Sequence, residues 1–253
     1  MKVLKFGGTS VGSAQRMKDV AKLIVGEKNL IVLSAMSGTT NSLVEISDYL
    51  YKKNPDGANE IINKLSQKYF GHIDELYATE EYKEKARELV TFHFDHIRSF
   101  TKDLFTLFEE KVVLAQGELI STGMMNLYLQ EQGVNSVLLP ALDFMRTDKN
   151  AEPDPVYIKE KLNRLLEENA GADLYITQGY ICRNAYGEID NLQRGGSDYT
   201  ASLIGAAIKA EEIQIWTDID GMHNNDPRFV KGTSPVRHLH FEEAAELAYF
   251  GAK

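Results

Sequence analysis

Three glycine-containing turns carry residues suited to binding an anion. They lie at 5–10, 34–40 and 194–198, and each is expected to follow a strand. Glycine lets the backbone approach a ligand closely, and the first amides of a helix point at an anion. Lys5 could add a full charge, although its spacing is neither that of a P-loop nor the dinucleotide fingerprint. Taken singly, Gly7-Gly8 fits a tight turn as well as a phosphate cradle; three such turns at strand ends of a parallel sheet favour a binding crevice.

Three charged residues are candidates for the same crevice. The guanidinium of Arg194 can fork onto a carboxylate while the neighbouring amides bind alongside. Asp198 is predicted in the first turn of the following helix, where the helix dipole alone favours a carboxylate. Glu118 lies in an apolar helical stretch at 112–125. It is either exposed at a helix edge or paired inside a site, and both interpretations stay open.

An acidic loop follows the predicted strand at 212–216. Asp218, Asp220 and Asp226 could hold Mg²⁺ through water, or they could simply be turn residues. The calcium-loop pattern fails because glycine comes too early after the first aspartate. His93 and His96 are spaced i, i+3, and their neighbours indicate an ordinary polar helix edge.

No residue pattern supports a protein nucleophile. The G-x-S-x-G elbow is missing from the sequence, and Cys182 has no evident base partner. As the single cysteine it also excludes an internal disulfide and a cysteine-rich zinc site, which fits a reducing compartment.

The elements that must position these residues alternate between strand and helix. A helix capped by Thr9 or Ser10 is expected after the first turn. Strands are predicted at 3–6, 30–33, 134–139, 174–178 and 212–216, and further helices at 41–50, 113–130, 156–168, 197–210 and 241–250. This order predicts an α/β protein with a parallel sheet covered on both faces.

The segment from Pro55 to about Glu110 departs from that alternation. It is polar, helical in period and without a convincing strand, so it predicts a helical insertion of two or three helices. Its candidate buried residues are Ile61, Ile62, Leu65, Phe70, Leu76, Leu89, Phe92, Phe100, Leu104 and Leu107.

Composition sets the outer limits. A chain of 253 residues permits one domain or two, and the lack of a low-complexity linker favours one. The net charge of −9 argues against nucleic-acid binding, which needs a basic face. No apolar stretch is long enough for a signal peptide or membrane span, so a cytoplasmic protein without a membrane partner is expected.

Four motifs together resemble those of the aspartate kinases, enzymes of the amino-acid kinase family that phosphorylate the side-chain carboxylate of L-aspartate. They are KFGGTS at 5–10, RGGSD at 194–198, WTDIDG at 216–221 with DPR at 226–228, and YFGAK at 249–253. They span the chain in the order of that family. The helical insertion before the QGE motif at 116–118 is also similar.

The resemblance implies a three-layer α/β/α sandwich with a mainly parallel central sheet and a helical insertion at about 55–110. It implies that 1–253 is a catalytic domain lacking the family's C-terminal regulatory domains. ATP is expected across the carboxyl ends of the strands, with Mg²⁺ carried as Mg-ATP and no separate protein metal site. The full-length protein is expected to be a homo-oligomer.

The same resemblance implies a role for each motif residue. Catalysis falls to Lys5 and Asp198, with Asp198 organising Lys5 and the metal-nucleotide. The nucleotide side is expected to comprise Lys5, Phe6, Gly7, Gly8, Thr217, Asp218, His223, Arg228 and Lys253. The L-aspartate side is expected to comprise Ser34, Thr40, Glu118, Arg194, Gly195, Gly196 and Ser197, with Arg194 on the α-carboxylate.

Three departures from the family pattern stand out. Gln193 replaces a usual glycine, His223 replaces a usual tyrosine, and the chain stops at Lys253 within a motif. An ionised carboxylate is already a nucleophile, so the expected reaction needs positioning and cations rather than a base. Two alternatives remain: a sister kinase acting on another small acid or a nucleotide, and a catalytically weak fragment that binds ATP and an amino acid.

Overall fold

The computed structural model describes residues 1–102, 104–193 and 195–252. The chain divides into two compact units, Met1–Trp216 and Thr217–Lys253. Whether the two units form the single domain expected from the sequence stays a prediction.

A five-stranded sheet forms the centre of the first unit, in the order β3-β4-β2-β1-β7. All its pairings are parallel. Its strands are β1 (Lys2–Phe6), β2 (Asn29–Leu33), β3 (Ser136–Leu138), β4 (Leu174–Gln178) and β7 (Ile213–Trp216). Phe6 pairs with Leu33, and Leu33 pairs with Gln178, so the carboxyl ends of three central strands lie level. Loops leaving these ends therefore meet at one edge of the sheet.

Helices cover both faces of this sheet. They are α1 (Ala14–Ile24), α2 (Thr39–Tyr51), α3 (Pro55–Leu76), α4 (Glu80–Ser99), α5 (Leu107–Glu131), α6 (Ala141–Phe144), α7 (Pro155–Glu168) and α8 (Gly196–Ile208). Alternation along β1 sends Leu4 and Phe6 into one hydrophobic core and Val3 into the other. The first core takes residues of α1 to α5, and the second takes residues of α6 to α8 together with Ala115 of α5. The predicted three-layer α/β/α sandwich is confirmed.

The strands are apolar because both faces are covered. All five residues of β2 and all five of β4 are buried, as expected of inner strands in a parallel sheet. At the edge of the sheet β7 is less covered, and Trp216 stacks on Phe6 with ring centroids 5.6 Å apart. The α6 helix, only four residues long, was not predicted.

Two long helices and a 3₁₀ turn at Phe100–Lys102 occupy the segment expected to be a helical insertion. Asn54 caps α3 by accepting a hydrogen bond from the Gly57 amide at 3.0 Å, with Pro55 in the first turn. Not every expected core position is buried, since Phe92, Leu104 and Leu107 are 69%, 76% and 59% exposed. Phe92 lies out of phase with the buried face of α4, and the other two lie outside or at the very start of a helix.

The start of α1 differs from the prediction. Ser13, not Thr9 or Ser10, is the N-cap, and its hydroxyl accepts a hydrogen bond from the Arg16 amide at 3.3 Å. The turn after β1 is instead held by the turn after β2, because the Ser37 amide donates to the Gly8 carbonyl at 3.0 Å. The first two glycine-containing turns are thus bonded to each other.

The third glycine-containing turn was expected to follow a strand of the parallel sheet, and this expectation is wrong. It follows β6 (Ile189–Asn191), which pairs antiparallel with β5 (Ile181–Arg183) in a separate two-stranded hairpin. A turn at 184–188 closes this hairpin, and the Gly187 amide donates to the Asn184 carbonyl at 3.0 Å. The hairpin therefore separates the end of β4 from the start of α8.

The second unit contains α9 (Phe241–Tyr249), with Gly251 beyond it in a left-handed conformation at φ +94°. An isolated β-bridge between His223 and Pro235 closes the loop that precedes α9 in this unit. Within the described parts of both units, no helix combines the length and apolar character needed to cross a membrane.

Gln178, at the end of β4, ties two helices to the sheet. Its side chain is fully buried, accepts a hydrogen bond from the Ala141 amide and donates one to Thr122 Oγ1, both at 2.7 Å. We predict that Gln178→Met lowers the free energy of unfolding by about 2 kcal/mol, because a buried amide is left without an acceptor. Urea denaturation checks this.

The matched control is Gln67→Met on the exposed side of α3. It is expected to stay within about 0.5 kcal/mol of the wild type, as surface changes usually do. Equal losses in the two variants would contradict the role given to Gln178.

Candidate active site

A cavity of about 620 Å³ lies at the carboxyl ends of β1, β2 and β4. It is surrounded by the turn after β1, the turn after β2 with the start of α2, Glu118 of α5, Tyr180, and Gln193 with the start of α8. Its lining residues are Lys5, Gly8, Thr9, Ser34, Ala35, Met36, Ser37, Gly38, Thr40, Asn41, Glu118, Tyr180, Gln193, Gly195, Gly196, Ser197 and Asp198. Two of the three glycine-containing turns and the described part of the third meet here.

Lys5 and Asp198 form an ion pair in this cavity, with Nζ and Oδ1 2.6 Å apart. The Lys5 side chain is 12% exposed and that of Asp198 is 52% exposed. Register positions Lys5 one residue before the end of β1, and Asp198 lies in the first turn of α8. A lysine held this way presents its charge to the cavity without being free to swing into solvent.

The glycines after β1 differ in how tightly they are packed. A Cβ on Gly8 would come within 2.6 Å of the Ala35 carbonyl oxygen, so only glycine lets the two turns approach. A Cβ on Gly7 would lie 3.5 Å from Lys5 Nζ, an ordinary contact. The Phe6 side chain is 1% exposed and belongs to the core, so it does not line the cavity.

Two helices begin at the cavity with glycine as their N-cap. Gly38 precedes α2 at φ +82° and Gly195 precedes α8 at φ +81°, and neither N-cap supplies a side-chain hydrogen bond. The first amides of a helix have no partner within it, and the helix dipole makes them attractive to anions. The cavity therefore has two anion-binding ends in addition to Lys5.

Hydroxyl groups join the walls beside α8. Ser34 Oγ donates to Ser197 Oγ at 3.0 Å, and Ser121 Oγ donates to the Ser34 carbonyl at 2.8 Å. A Cβ on Gly179 would come within 2.5 Å of Ser197 Oγ, so the end of β4 touches the first turn of α8. Thr40, the other expected hydroxyl residue, lines the cavity from α2.

Glu118 resolves the question left open by the sequence. It lines the cavity and is only 4% exposed. Its Oε1 accepts a hydrogen bond from the Ala35 amide at 3.2 Å, while Oε2 is buried with no hydrogen-bond partner among the described residues. A buried acceptor without a donor is costly, and a ligand that donates hydrogen bonds would satisfy it.

Burial raises the pKa of Glu118 to about 8, and the hydrogen bond from the Ala35 amide only partly offsets this. Removal from water disfavours the charged carboxylate. A cation entering the cavity would favour the ionised form, so the group is suited to recognising an ammonium.

The remaining expected residues belong to the second unit or are not among the described residues. Thr217, Asp218, His223 and Arg228 are all in the second unit. His223 is buried, with Nε2 2.6 Å from Asp220 Oδ1 and Nδ1 3.0 Å from Thr233 Oγ1. These contacts hold the loop, and the hydrogen bond from His223 lowers the pKa of Asp220.

Arg228 and Thr217 also have partners within the second unit. The Arg228 guanidinium binds both carboxylate oxygens of Asp226, with its Nη2 2.6 Å from Oδ2. Thr217 Oγ1 donates to Asp218 Oδ1 at 3.2 Å. Arg194 and Lys253, expected on the aspartate and nucleotide sides, lie outside the described residues, so their roles stay predictions.

Tyr180 and Gln193 line the cavity but were not predicted as site residues. Both have left-handed backbone conformations, at φ +68° and +56°. Tyr180 follows the carboxyl end of a central strand, and that position was the available signal. No motif marks Gln193, which the sequence offered only as a departure from a family pattern. Thr9, Ala35, Met36, Ser37, Gly38 and Asn41 complete the missed lining.

The two histidines of α4 are not a single polar edge. His93 is buried with its Nδ1 2.6 Å from Gln116 Oε1, and burial lowers its pKa. His96 instead packs edge-on against Phe100, with ring centroids 5.1 Å apart. In the parts of the chain that the structure describes, no three His, Cys, Asp or Glu side chains cluster as a metal site would require.

A parallel α/β/α sandwich with glycine-rich loops at the carboxyl ends of its strands defines the class of protein. The sequence matches the amino acid kinase family over residues 1–253. The chain belongs to this family.

The particular relatives are aspartokinases. Lysine-sensitive aspartokinase 3 of Escherichia coli is 33% identical over 99% of this chain and 56% of its own length. Aspartokinase 3, chloroplastic, of Arabidopsis thaliana is 35% identical over 99% of this chain and 46% of its own. The chain thus spans about half the length of the curated relatives it matches. The resemblance to aspartate kinases inferred from the motifs is confirmed.

A solved structure agrees with these relatives. E. coli aspartokinase III in complex with aspartate and ADP superposes with a TM-score of 0.87 at 31% identity, covering 98% of this chain and 56% of that one.

The buried Glu118 predicts a dependence of stability on pH. Its pKa in the fold, about 8, lies above its ordinary value of 4.5, so the folded chain binds more protons between these values than the unfolded chain. Stability therefore falls as pH rises, by at most about 1.4 kcal/mol per pH unit from this group. We predict that Glu118→Gln gains stability relative to the wild type as pH rises from 5 to 8.

Urea denaturation of both proteins at pH 5, 6, 7 and 8 measures this difference. Glu84→Gln, at an exposed position of α4, is the control and should differ from the wild type equally at every pH. A pH-independent difference for Glu118→Gln would show that the carboxyl group does not titrate in this range.

Proposed function

We propose that this chain is the catalytic domain of an enzyme that transfers the γ-phosphoryl group of ATP to the side-chain carboxylate of L-aspartate. The product is 4-phospho-L-aspartate, the first intermediate toward lysine, threonine and methionine. The observation that carries the proposal is the buried Oε2 of Glu118, which has no hydrogen-bond partner among the described residues, in a cavity with two helix N-termini. Relatives named aspartokinases and the likeness to a structure with aspartate and ADP support it.

The charges of the cavity complement an acidic amino acid. The ammonium group of the amino acid binds Glu118 and donates to Oε2, which has no donor among the described residues. The α-carboxylate is taken at the start of α8, by Ser197 with Gly195 and Gly196, and by Arg194 as the sequence predicts. The N-terminus of α2, with Thr40 and Ser34, contacts the other end of the amino acid. A ligand with one cation and two anions matches this arrangement better than a nucleobase does.

The transfer itself needs charge neutralisation rather than a base. A carboxylate oxygen of aspartate attacks the γ-phosphorus of ATP, and the bond from that phosphorus to the β–γ bridging oxygen breaks, releasing ADP. No proton has to be removed from the nucleophile. Lys5, held by Asp198 at 2.6 Å, offsets negative charge on the transferring group, and the amides after β1 assist at Gly7 and Gly8.

The nucleotide side rests on the family motifs in 217–228. Thr217, Asp218, His223 and Arg228 keep their predicted role there, although the contacts of His223 and Arg228 within the second unit suit loop-holding as well. Mg²⁺ on nucleotide phosphates needs only one or two protein carboxylates, and the half-exposed Asp198 fits that demand. When bound, the metal would neutralise phosphate charge. A homo-oligomeric, cytoplasmic whole protein stays a prediction of the resemblance.

Trapping with hydroxylamine tests the proposed reaction directly. Acyl phosphates react with hydroxylamine to give hydroxamates, so the chain with Mg-ATP should form aspartyl hydroxamate from L-aspartate. Glutamate, N-acetylglutamate and UMP (the last followed by ADP release) are the competing acceptors, and little turnover is expected with them. Preference for one of these would favour a sister kinase. Binding of ATP and aspartate without turnover would favour the binding-fragment alternative.

Removing Lys5 should separate catalysis from binding. We predict that Lys5→Met lowers kcat by a factor of about 10²–10³, the usual effect of losing one group that stabilises transition-state charge. The KM for L-aspartate should change little. Lys2→Met, on the same strand and paired with Glu27 at 3.4 Å, is the matched control and should retain wild-type kcat. Retention of full turnover by Lys5→Met would remove Lys5 from the mechanism.

A further inference from the structure

Gln193 occupies a backbone conformation that favours glycine. Its φ of +56° is in the left-handed region, where a side chain crowds the following carbonyl. Only five non-glycine residues in the described ranges share this region: Lys53, Ala151, Tyr180, Gln193 and Lys209. Two of the five, Tyr180 and Gln193, line the cavity. Strained residues of this kind gather at functional sites because the surrounding structure holds them.

The backbone around Gln193 is held from both sides. Its carbonyl accepts a hydrogen bond from the Gly196 amide at 3.1 Å, which joins it to the start of α8. Its neighbour Leu192 donates to the Tyr180 carbonyl at 2.8 Å, closing the β5–β6 hairpin at its base. Gln193 is therefore fixed between the hairpin and the helix, at the edge of the cavity.

The carboxamide of Gln193 is available to a ligand. The residue is exposed, borders the cavity, and makes no side-chain hydrogen bond to the chain as far as the structure describes it. A carboxamide offers two N–H donors and one acceptor oxygen. Beside the N-terminus of α8, which already favours negative charge, its donors suit a carboxylate.

We propose that Gln193 is a substrate-contacting specificity residue whose carboxamide donates a hydrogen bond to the carboxylate that the amino-acid acceptor places at the start of α8. This rests on the proposed function, since it presumes an acidic amino acid in the cavity. The side chain is kept at a conformational cost to the backbone because it improves substrate binding. Stability and affinity are then expected to respond in opposite directions to its removal.

Gln193→Gly removes the carboxamide and relieves the backbone. The KM for L-aspartate should rise about three- to tenfold, as expected for one hydrogen bond to a charged group that is partly exposed. The KM for ATP should stay within twofold, and the thermal midpoint should be unchanged or higher. Gln193→Glu keeps the backbone cost but replaces the donors with a negative charge, so it should raise the aspartate KM further.

Lys209→Gly is the matched control. Lys209 has φ +52° at the far end of α8, so glycine relieves the backbone there without touching the cavity. Its thermal midpoint should shift as in Gln193→Gly while the aspartate KM stays at the wild-type value. A purely conformational effect on binding would make the two glycine variants alike, which would overturn the proposal.

Calorimetric titration with L-aspartate provides a second readout. Weaker binding by Gln193→Gly than by the wild type supports the proposal even where turnover is slow. Wild-type hydroxamate formation with an unchanged KM and Kd in Gln193→Gly overturns the role of Gln193 alone. Failure of the wild type both to bind L-aspartate and to convert it overturns this role together with the proposed function.

Discussion

The hydrogen bond from the Ala35 amide to Glu118 joins the two parts of the molecule that make the cavity. Ala35 lies in the turn after β2, and Glu118 lies in the middle of α5, so the 3.2 Å contact holds a loop at the carboxyl ends of the strands against a core helix. Gly117 allows this approach, because a Cβ there would come within 2.8 Å of the Ala35 Cβ. The bond satisfies only one carboxylate oxygen. The other oxygen is buried without a hydrogen-bond partner among the described residues, in a side chain that lines the cavity.

Other residues of the site either hold the helix that carries this carboxylate or supply positive potential to the cavity. Thr122 Oγ1 donates to the Glu118 carbonyl at 2.7 Å and receives a hydrogen bond from Gln178, so the helix is anchored to the end of β4. Lys5 and the N-termini of two helices also border the cavity and supply positive potential there. In a chain with a net charge of −9, these few groups among the described residues favour an anion locally. Net charge describes the surface, whereas the site depends on where a few dipoles point.

The sequence predicted those parts of the fold that depend on local pattern. The apolar runs of β2 and β4 and the glycines after β1 have a period or composition that identifies them, and Glu118 was recognised as a charged residue in an apolar helix. Three features were beyond such reasoning. The exposure of Phe92 depends on the rotational phase of α4, and the cap at Ser13 depends on bonds between two distant turns. The position of Gln193 depends on hydrogen bonds that join the base of the β5–β6 hairpin to Tyr180 and to the start of α8, and a local pattern does not give such bonds.

The backbone positions around this cavity differ in whether they carry a side chain, and the difference follows from the space and the backbone conformation at each position. Where two backbones meet, as at Gly8 against the Ala35 carbonyl and Gly179 against Ser197, a side chain has no room, and glycine carries no cost beyond its freedom in the unfolded chain. At Gln193 the backbone is left-handed, and there glycine would be the more stable choice. We attribute the side chain at this position to the ligand contact proposed above, because no side-chain hydrogen bond within the described chain compensates for the cost to the backbone. The helix caps Gly38 and Gly195 differ from Gln193, since glycine adopts the left-handed conformation there and the first helix amides border the cavity without a capping side chain.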